Sequence, residues 1–502
     1  MTFIRTMLEV AESDPGRLAL AGDGERVTYA ELRETGTRIR SGVEQLLAGR
    51  PASASDGETG GAPIVAVSLS RAIDAGRFLA GLASFHAVAA VLDPLWPLAD
   101  RIATIGRVDP ALVITDDAEL ERALAGLAGW RGTVVPLDRF DALAAAAPVS
   151  AGPEVRPRDE PYLLLFTSGT TEAPKGFLRT RGSWDYNVAA SRGPLFAGDG
   201  VQTIAPGPVS YSLTLYALVE ALATGGSLHL QSRFDAADAV RTIERHGVER
   251  FVGVPSMLPA LAAAARGGDA LASLRWVITG GANQSESIRE RFREAAPHAL
   301  LRSYYGASEI GFIGYSDAGD GTRLTPFAGL EAQVRDDAGS PVPDGVLGTL
   351  HVRVASQVAG YLTATSHDRI TGDDGWSTVG DLASIEGGLI VLAGRAGDMA
   401  VTGGHKVSLP QVERALATVP GCESCCAVAL PDAALGQLVA VVVEGAAVPA
   451  KAVMQAELRR LLPEQFVPRR YYRADALPRT AGGKIRRTAV AELVESGRAE
   501  RL

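Results

Sequence analysis

A run of small hydroxyl residues and glycine near residue 170 is the most chemically suggestive feature of the sequence. It follows the apolar segment Tyr162 to Phe166 and reads Thr167, Ser168, Gly169, Thr170, Thr171, Glu172, Ala173, Pro174, Lys175, Gly176. Backbone N–H and side-chain O–H groups of such a loop can donate to phosphate oxygens, and the lysine adds positive charge. The spacing differs from that of a Walker A loop. Taken alone, the run is also compatible with an ordinary surface turn.

Later segments carry groups that suit nucleotide chemistry. Tyr305 to Glu309 combines an aromatic ring, a hydroxyl and a carboxylate, and Gly380-Asp381 is followed by Gly394-Arg395. Near the C-terminus, Lys484 follows a pair of glycines. Each segment also has a plainer explanation: a strand-to-turn corner, a surface ion pair and a solvated basic tail, respectively.

In this order along the chain, the segments resemble those of the adenylate-forming superfamily of acyl-CoA synthetases, peptide-synthetase adenylation domains and luciferases. The phosphate loop of that superfamily reads Ser-Gly-Thr-Thr-Gly-x-Pro-Lys-Gly. The resemblance extends over nearly the whole chain and includes Val27 to Leu32, Leu92 to Pro97 and Pro478 to Lys484. One position departs from the pattern, because Glu172 replaces a glycine of the loop.

The resemblance implies a role for each matched residue. Lys484 would bridge the substrate carboxylate and the α-phosphate, Ser308 would hydrogen-bond the α-phosphate, and Glu309 would bind Mg²⁺. Asp398 would be the hinge about which the small domain turns between the two half-reactions. ATP would be held by Thr167, Ser168, Gly169, Thr170, Thr171, Lys175, Gly281, Ala282, Tyr305, Gly306, Asp381 and Arg395. Tyr305 would face the adenine, and Asp381 with Arg395 would bind the ribose.

The apolar segments predict a layered α/β fold. Strand-like runs such as Ile64 to Leu69, Leu112 to Thr115 and Trp276 to Thr279 alternate with helical patterns, which is typical of parallel sheets. From Gly345 to Leu392, short strands between Gly and Asp turns predict a β-rich subdomain, for instance GTLHVRV, GWSTVGD and GGLIVLAGR. We expect a large N-terminal domain at 1–396 and a small, mobile α+β C-terminal lid domain at 397–502 that carries the catalytic lysine.

The acid-binding pocket is expected to be lined by Val209, Ser210, Tyr211, Val254 and Ala307. Amino-acid-activating relatives carry an aspartate that pairs with the substrate α-ammonium. The corresponding stretch here, Pro206 to Ser212, contains no acidic residue, and a buried ammonium without a counter-ion is costly. We therefore expect an acid without an α-amine. The sequence is compatible with aryl, cinnamyl-type and short or medium acyl acids as substrates.

The acceptor of the acyl group is expected to be a thiol. The glycines within Val401 to Val407 resemble those of coenzyme A ligases and would leave room for a pantetheine arm. The thiol would belong to coenzyme A or to the phosphopantetheine of a separate acyl carrier protein. A basic run could meet the phosphates of either partner; it comprises Arg479, Arg486 and Arg487, with Arg469, Arg470 and Arg473 upstream. Capture by an amine or another small nucleophile, and stand-alone amino-acid adenylation, are the alternatives.

Composition excludes several other classes. The 502 residues carry a net charge of -9, which argues against nucleic acid as the main partner. No apolar stretch reaches the roughly 18 residues of a membrane span, so the cytoplasm is the default location. Cys422, Cys425 and Cys426 lie too close together for a disulfide framework and are expected to be reduced and strand-associated.

Two other nucleotide-binding classes fit less well. A phosphotransferase would need a Walker lysine or a kinase-type base, neither of which is present. A nucleotide-binding module without turnover would have no need of Lys484, Glu309, Asp381 and Arg395. ATP-dependent activation of a carboxylic acid to an acyl-AMP is therefore the predicted reaction.

Overall fold

A computed structural model of the chain describes residues 2–49, 56–167, 174–265, 269–281, 284, 286–317, 319, 321–395, 398–402, 405–432, 435–479 and 484–502.

The first part of the chain alternates helices with short strands. Its elements are α1 (Thr2–Ser13), β1 (Leu18–Gly22), β2 (Glu25–Thr28), α2 (Tyr29–Leu47), α3 (Asp56–Thr59), β3 (Ile64–Ser68), α4 (Ala72–Leu82), β4 (Val88–Val91), α5 (Leu98–Val108), β5 (Leu112–Thr115), α6 (Ala118–Ala125), β6 (Thr133–Pro136), α7 (Leu137–Ala146), β7 (Pro161–Phe166), β8 (Gly176–Thr180) and α8 (Arg181–Ser191).

The middle of the chain continues this alternation and then becomes β-rich. Its elements are β9 (Gln202–Pro206), α9 (Ser212–Thr224), β10 (Ser227–Gln231), α10 (Ala236–His246), β11 (Arg250–Gly253), α11 (Leu258–Ala265), β12 (Trp276–Gly280), α12 (Glu286–Ala295), β13 (Leu300–Ala307), β14 (Gly311–Ser316), β15 (Arg323–Pro326), β16 (Glu331–Arg335), β17 (Gly348–Arg353), β18 (Asp381–Glu386) and β19 (Leu389–Arg395).

The last hundred residues form a separate unit that contains both helices and strands. Its elements are β20 (Met399–Thr402), β21 (His405–Ser408), α13 (Leu409–Leu416), β22 (Cys425–Asp432), β23 (Gly436–Glu444), α14 (Lys451–Leu461), β24 (Arg470–Ala474), α15 (Arg487–Glu495) and β25 (Glu500–Arg501).

The described strands form three sheets. One has the order β6-β5-β3-β4-β7-β8, and the largest has the order β16-β17-β18-β19-β15-β14-β13-β12-β11-β9-β10-β1-β2. In the largest sheet, β1, β10, β9, β11, β12 and β13 run parallel, and the strands from β14 onward pair antiparallel. The third sheet belongs to the C-terminal unit and has the order β21-β20-β23-β24-β25, with β22 on β23.

The parallel strands are apolar because helices cover both of their faces. Every residue of β3, β4, β5 and β11 is buried, as expected for a sheet with both faces covered. The predicted α/β class, with a large N-terminal domain and a small α+β C-terminal domain, is confirmed by this architecture. The proposed boundary at 396/397 falls on residues outside those described.

The predicted strand within GWSTVGD is wrong. Around Ser377 the backbone makes isolated bridges to Val352 and Thr371, and β18 begins only at Asp381. Gly375 and Gly380 have φ values of +80° and +78°. Such values turn the chain out of extended geometry, so the chain bends at both glycines.

The three cysteines are free and buried. Cys425 and Cys426 open β22, which confirms the predicted strand-associated cluster. Burial raises the pKa of the Cys422 thiol to about 11, so it stays protonated at neutral pH. No helix in the described part of the chain is long and apolar enough to cross a lipid bilayer.

Candidate active site

The predicted acid-binding residues meet at one edge of the largest sheet. Strands β9, β11, β12 and β13 are parallel neighbours, so their carboxyl ends lie side by side. Crevices at such ends are the usual ligand sites of open α/β sheets. The five residues follow or end these strands: Val209, Ser210 and Tyr211 after β9, Val254 after β11 and Ala307 at the end of β13.

Within this group, the side chains differ in exposure. Val209 is 1% exposed and belongs to the apolar core, whereas Ser210 and Tyr211 are half-buried. The Tyr211 ring lies against Gly207, where an added Cβ would sit 3.4 Å from a ring carbon. The Tyr211 hydroxyl is buried and has no hydrogen-bond partner among the described residues.

Ser308 is held from two sides. Its Oγ lies 2.6 Å from the Oγ of Ser212, the first residue of α9, and its carbonyl accepts from Arg179 Nη1 at 2.9 Å. Arg179 is fully buried, so this donor is fixed behind the site. Sequence reasoning missed Ser212, although it ends the very stretch examined for an acidic residue. Its partner is 96 residues away in sequence, so no local pattern announces the contact.

Glu309 lies beside a tyrosine that sequence reasoning also missed. The Tyr361 hydroxyl donates to Glu309 Oε1 at 3.2 Å, and the Glu309 carbonyl accepts from the Val358 amide at 3.0 Å. Burial and the nearby Glu309 carboxylate raise the pKa of Tyr361 to about 12. The hydroxyl therefore stays protonated and available as a donor at neutral pH.

Tyr305 and Asp381 are brought together from different strands. The Tyr305 hydroxyl on β13 donates to Asp381 Oδ2 at the start of β18, and Asp381 is 6% exposed. Asp381 is also paired in register with Arg395 of β19. The residues assigned to adenine and ribose are thus adjacent, and Asp381 is buried rather than on the surface.

Gly306 occupies a tight position next to this pair. The register of β13 and β14 shifts between Tyr305 and Gly306, and a Cβ on Gly306 would collide with the Gly311 carbonyl. Only glycine fits this close approach.

The phosphate loop spans the turn between β7 and β8. The Thr167 amide donates to the Lys175 carbonyl at 3.0 Å and closes the base of the loop. Ser168, Gly169, Thr170, Thr171 and Glu172 lie outside the described residues. Lys175 forms an ion pair of 2.8 Å with Asp368, and this hydrogen bond lowers the pKa of the Asp368 carboxyl.

Lys484 reaches the large domain from the C-terminal unit. An added Cβ on Gly281 would sit 3.4 Å from Lys484 Cε and 3.8 Å from its Nζ, and 3.9 Å from Leu213 of α9. Gly281 has a φ of +82° and directly follows β12, while the predicted neighbour Ala282 lies outside the described residues. Lys484 is therefore at the same sheet edge as the predicted acid-binding residues.

Asp398, the predicted hinge, is anchored within the C-terminal unit. Arg487 Nε, at the start of α15, donates to Asp398 Oδ1 at 2.7 Å. Arg487 also forms an ion pair with Glu413 and donates to the Ala427 carbonyl.

Much of the basic run suggested for phosphate contact is engaged within the domain. Arg473 pairs with Asp475 and Glu500, and Arg479 pairs with Glu444. These ion pairs reduce the positive charge available to an external phosphate.

The chain belongs to the family of AMP-binding enzymes. The family model "AMP-binding enzyme" matches residues 7–362, and the model "AMP-binding enzyme C-terminal domain" matches residues 411–484. These two matches cover most of the chain, and the predicted resemblance to the adenylate-forming superfamily is confirmed.

Individual relatives agree with this membership. The chain is 30% identical to an indoleacetate–CoA ligase of Aromatoleum aromaticum over 79% of this chain and 80% of that protein. It is 27% identical to an uncharacterized acyl–CoA ligase of Bacillus subtilis, YhfT, over 99% of both chains. The fold superposes on ATP-bound MatB from Rhodopseudomonas palustris with a TM-score of 0.87, at 22% identity over 98% of both chains. The predicted function, ATP-dependent activation of an acid by an acid–thiol ligase, is confirmed.

Proposed function

We propose that the protein converts an aromatic or acyl carboxylic acid without an α-amine into its acyl-AMP and then into the thioester of coenzyme A. The observation that carries this proposal is the position of Lys484 beside Gly281, at the edge where the acid-binding residues gather. In this arrangement the C-terminal unit presents its lysine to the site of the first half-reaction.

The first half-reaction joins the acid to the α-phosphate. A carboxylate oxygen attacks the α-phosphorus, the bond to the bridging oxygen of the β-phosphate breaks, and pyrophosphate leaves. The Lys484 ammonium would stabilise the charge that develops on the transferring group, and Ser308, held by Ser212 and Arg179, would donate to the α-phosphate. Tyr305 would lie on the adenine and Asp381 would accept from the ribose hydroxyls.

The donor set of the described residues suits Mg²⁺ bound mainly by the nucleotide. No group of three or more His, Cys, Asp or Glu side chains is gathered as a metal site in the described ranges. Glu309 would supply one carboxylate oxygen, and phosphate oxygens and water would supply the rest, as is usual for Mg²⁺. The ion would neutralise part of the triphosphate charge.

The surroundings of the β9–α9 loop favour an acid without an α-amine. Asp93 is close enough to contribute, after burial, to the raised pKa of Tyr211. One oxygen of its carboxylate, Oδ1, accepts from the Leu95 amide at 2.9 Å, and burial raises the pKa of Asp93. Burial therefore disfavours the charged form of Asp93 that an α-ammonium would need as its partner. The Tyr211 hydroxyl, which has no hydrogen-bond partner among the described residues, would suit a polar substituent on the acid.

In the second half-reaction, the thiol sulfur attacks the acyl carbon, AMP leaves and the thiol proton is released. Coenzyme A is the proposed acceptor because the relatives that the chain matches over most of its length are named as CoA ligases. Turning of the C-terminal unit about Asp398 would replace Lys484 by the loop 399–406. The thiol of a separate carrier protein is the other acceptor that experiment must distinguish.

The experiment is to incubate the protein with ATP, Mg²⁺ and matched acid pairs that differ only in an α-amine, such as phenylpropionate and phenylalanine. Indoleacetate, benzoate, cinnamate and medium-chain fatty acids complete the panel. Coenzyme A, hydroxylamine or a phosphopantetheinylated carrier protein serves as acceptor, and products are identified by mass spectrometry.

We expect a CoA thioester and AMP from one amine-free class. Thioester formation only with the amino acid of a pair would overturn the acid assignment. Hydroxamate formation without any CoA thioester would overturn the acceptor assignment.

A further inference from the structure

A short segment after β17 lies against the end of the phosphate loop. We call this segment, Gly360 to Asp368, the strap. The Leu362 amide donates to the Gly176 carbonyl at 2.6 Å, and the Gly176 amide donates to Thr365 Oγ1 at 2.9 Å. These bonds tie the strap to the first residue of β8, next to Lys175, so the lysine and the strap must keep a fixed spacing.

Tyr361 of the strap contacts two groups that the proposed function places around the triphosphate. Its hydroxyl donates to Glu309 Oε1 at 3.2 Å, and its ring centroid lies 5.9 Å from Lys175 Nζ. The ring is itself packed edge-on against Phe177, with 6.4 Å between centroids. One half-buried side chain therefore links a residue of β8 with the carboxylate that follows β13.

The two contacts hold groups of opposite charge by different means. The hydroxyl orients a carboxylate through a hydrogen bond, as partners of metal ligands commonly do. The ring attracts the ammonium through its face. The Asp368 carboxylate, 2.8 Å from Lys175 Nζ, holds the lysine from the other end of the strap.

We propose that Tyr361 is a positioning residue that sets the Glu309 carboxylate and the Lys175 ammonium relative to each other for the Mg²⁺–triphosphate. This proposal rests on the function proposed above, because it takes Glu309 as the metal ligand and Lys175 as a phosphate contact. The two contacts are chemically separable: Tyr361→Phe removes the bond to Glu309 and keeps the ring, whereas Tyr361→Leu removes both.

The test compares wild type, both Tyr361 variants and a matched control. In the control, Tyr186→Phe, the lost hydroxyl donates to the Ala328 carbonyl at 3.0 Å and takes no part in the site. Three readouts are used: the Mg²⁺ concentration for half-maximal pyrophosphate exchange, Mn²⁺ binding to the enzyme–ATP complex by electron paramagnetic resonance, and metal-free ATP binding by calorimetry in EDTA.

We expect Tyr361→Phe to raise the Mg²⁺ and Mn²⁺ half-saturation about 10-fold, a typical effect for a residue behind a metal ligand. Its metal-free ATP affinity should match wild type. Tyr361→Leu should show the same metal effect and, in addition, a loss of metal-free ATP affinity of about 2- to 5-fold from the missing ring contact.

Three results would overturn the proposal. The first is an unchanged metal half-saturation concentration in Tyr361→Phe, and the second is an equal loss of metal-free ATP affinity in both Tyr361 variants. The third is a rise in metal half-saturation in Tyr186→Phe as large as that in Tyr361→Phe. If Tyr361→Leu does not fold, the Phe variant alone decides the bond to Glu309. Absence of pyrophosphate exchange in wild type would instead reject the proposed function, and the two binding readouts would still test Tyr361.

Discussion

Tyr305 illustrates how one residue of this site contributes two separate groups. Its ring is the proposed platform for adenine, and its hydroxyl donates to the buried Asp381 carboxylate. Because base–aromatic stacking is worth about 1–3 kcal/mol per base, Tyr305→Ala should raise the KM for ATP about 5- to 160-fold. Tyr305→Phe keeps the ring and should change it much less. Steady-state pyrophosphate exchange measures both; equal damage in both variants would reject the stacking role.

His229 should make the large domain less stable in mild acid. It is 3% exposed, and burial, followed by His246 and Arg26, lowers its pKa to about 4. The unfolded chain, with a histidine pKa of about 6.5, binds the proton more readily than the folded chain. The contribution of neutral His229 to the free energy of unfolding is therefore complete above about pH 6.5 and decreases as the pH falls towards about 4. Between pH 7.5 and 5 the expected loss is about 2 kcal/mol.

The measurement for His229 is the thermal unfolding midpoint at pH 7.5 and pH 5, in wild type and in His229→Gln. The glutamine cannot be protonated and can still bond to Gln202, which lies 2.9 Å from the His229 ring nitrogen. The variant should lose less stability in acid than wild type. An identical pH dependence in both proteins would contradict the assignment.

Sequence reasoning at this scale identified groups inside matched motifs but not their partners. Ser308, Glu309 and Lys175 stand in recognisable local patterns. Their partners Ser212, Tyr361 and Asp368 reach them only because the chain returns from tens or hundreds of residues away. Packing of distant segments decides such contacts, and no short pattern encodes it.

Among the elements, α15 binds the predicted hinge residue Asp398 to the C-terminal sheet. Its first residue, Arg487, binds Asp398, Glu413 and the Ala427 carbonyl. Arg487→Met would leave two carboxylates without this partner, and losing hydrogen bonds to charged groups typically costs about 2 kcal/mol. We expect faster amide hydrogen exchange in β22 and β23, and a larger loss in thioester formation than in pyrophosphate exchange.

The control for this prediction is Arg486→Ala, because Arg486 is the exposed neighbour of Arg487. Its hydrogen exchange should resemble wild type. If Arg487→Met leaves both hydrogen exchange and the ratio of the two half-reactions unchanged, Arg487 does not anchor the hinge.

Element positions were more predictable in the parallel sheets than in the β-rich part. Runs such as Leu112 to Thr115 are buried on both faces, so hydrophobicity alone marks them. GWSTVGD also contains residues that favour strands, namely Trp, Thr and Val, but its two glycines have positive φ and turn the chain. Strand propensity alone therefore did not identify this segment correctly.

For the whole molecule, the contact between the two domains is the decisive feature. Lys484 lies beside Gly281, and an ion pair of 3.0 Å between Arg291 and Glu423 also joins α12 to the C-terminal unit. The order of motifs predicted two domains sharing one site. It could not predict which pose of the small domain the structure shows, because the two poses that the resemblance implies use the same sequence.

The most direct test of the central claim is acid-dependent exchange of labelled pyrophosphate into ATP by wild type, Lys484→Ala and Arg486→Ala. Loss of a preorganised donor typically costs about 10² to 10³ in rate. Lys484→Ala should therefore lose exchange by that factor while still forming the CoA thioester from supplied acyl-AMP, and Arg486→Ala should exchange normally. Wild-type exchange in Lys484→Ala would contradict the account.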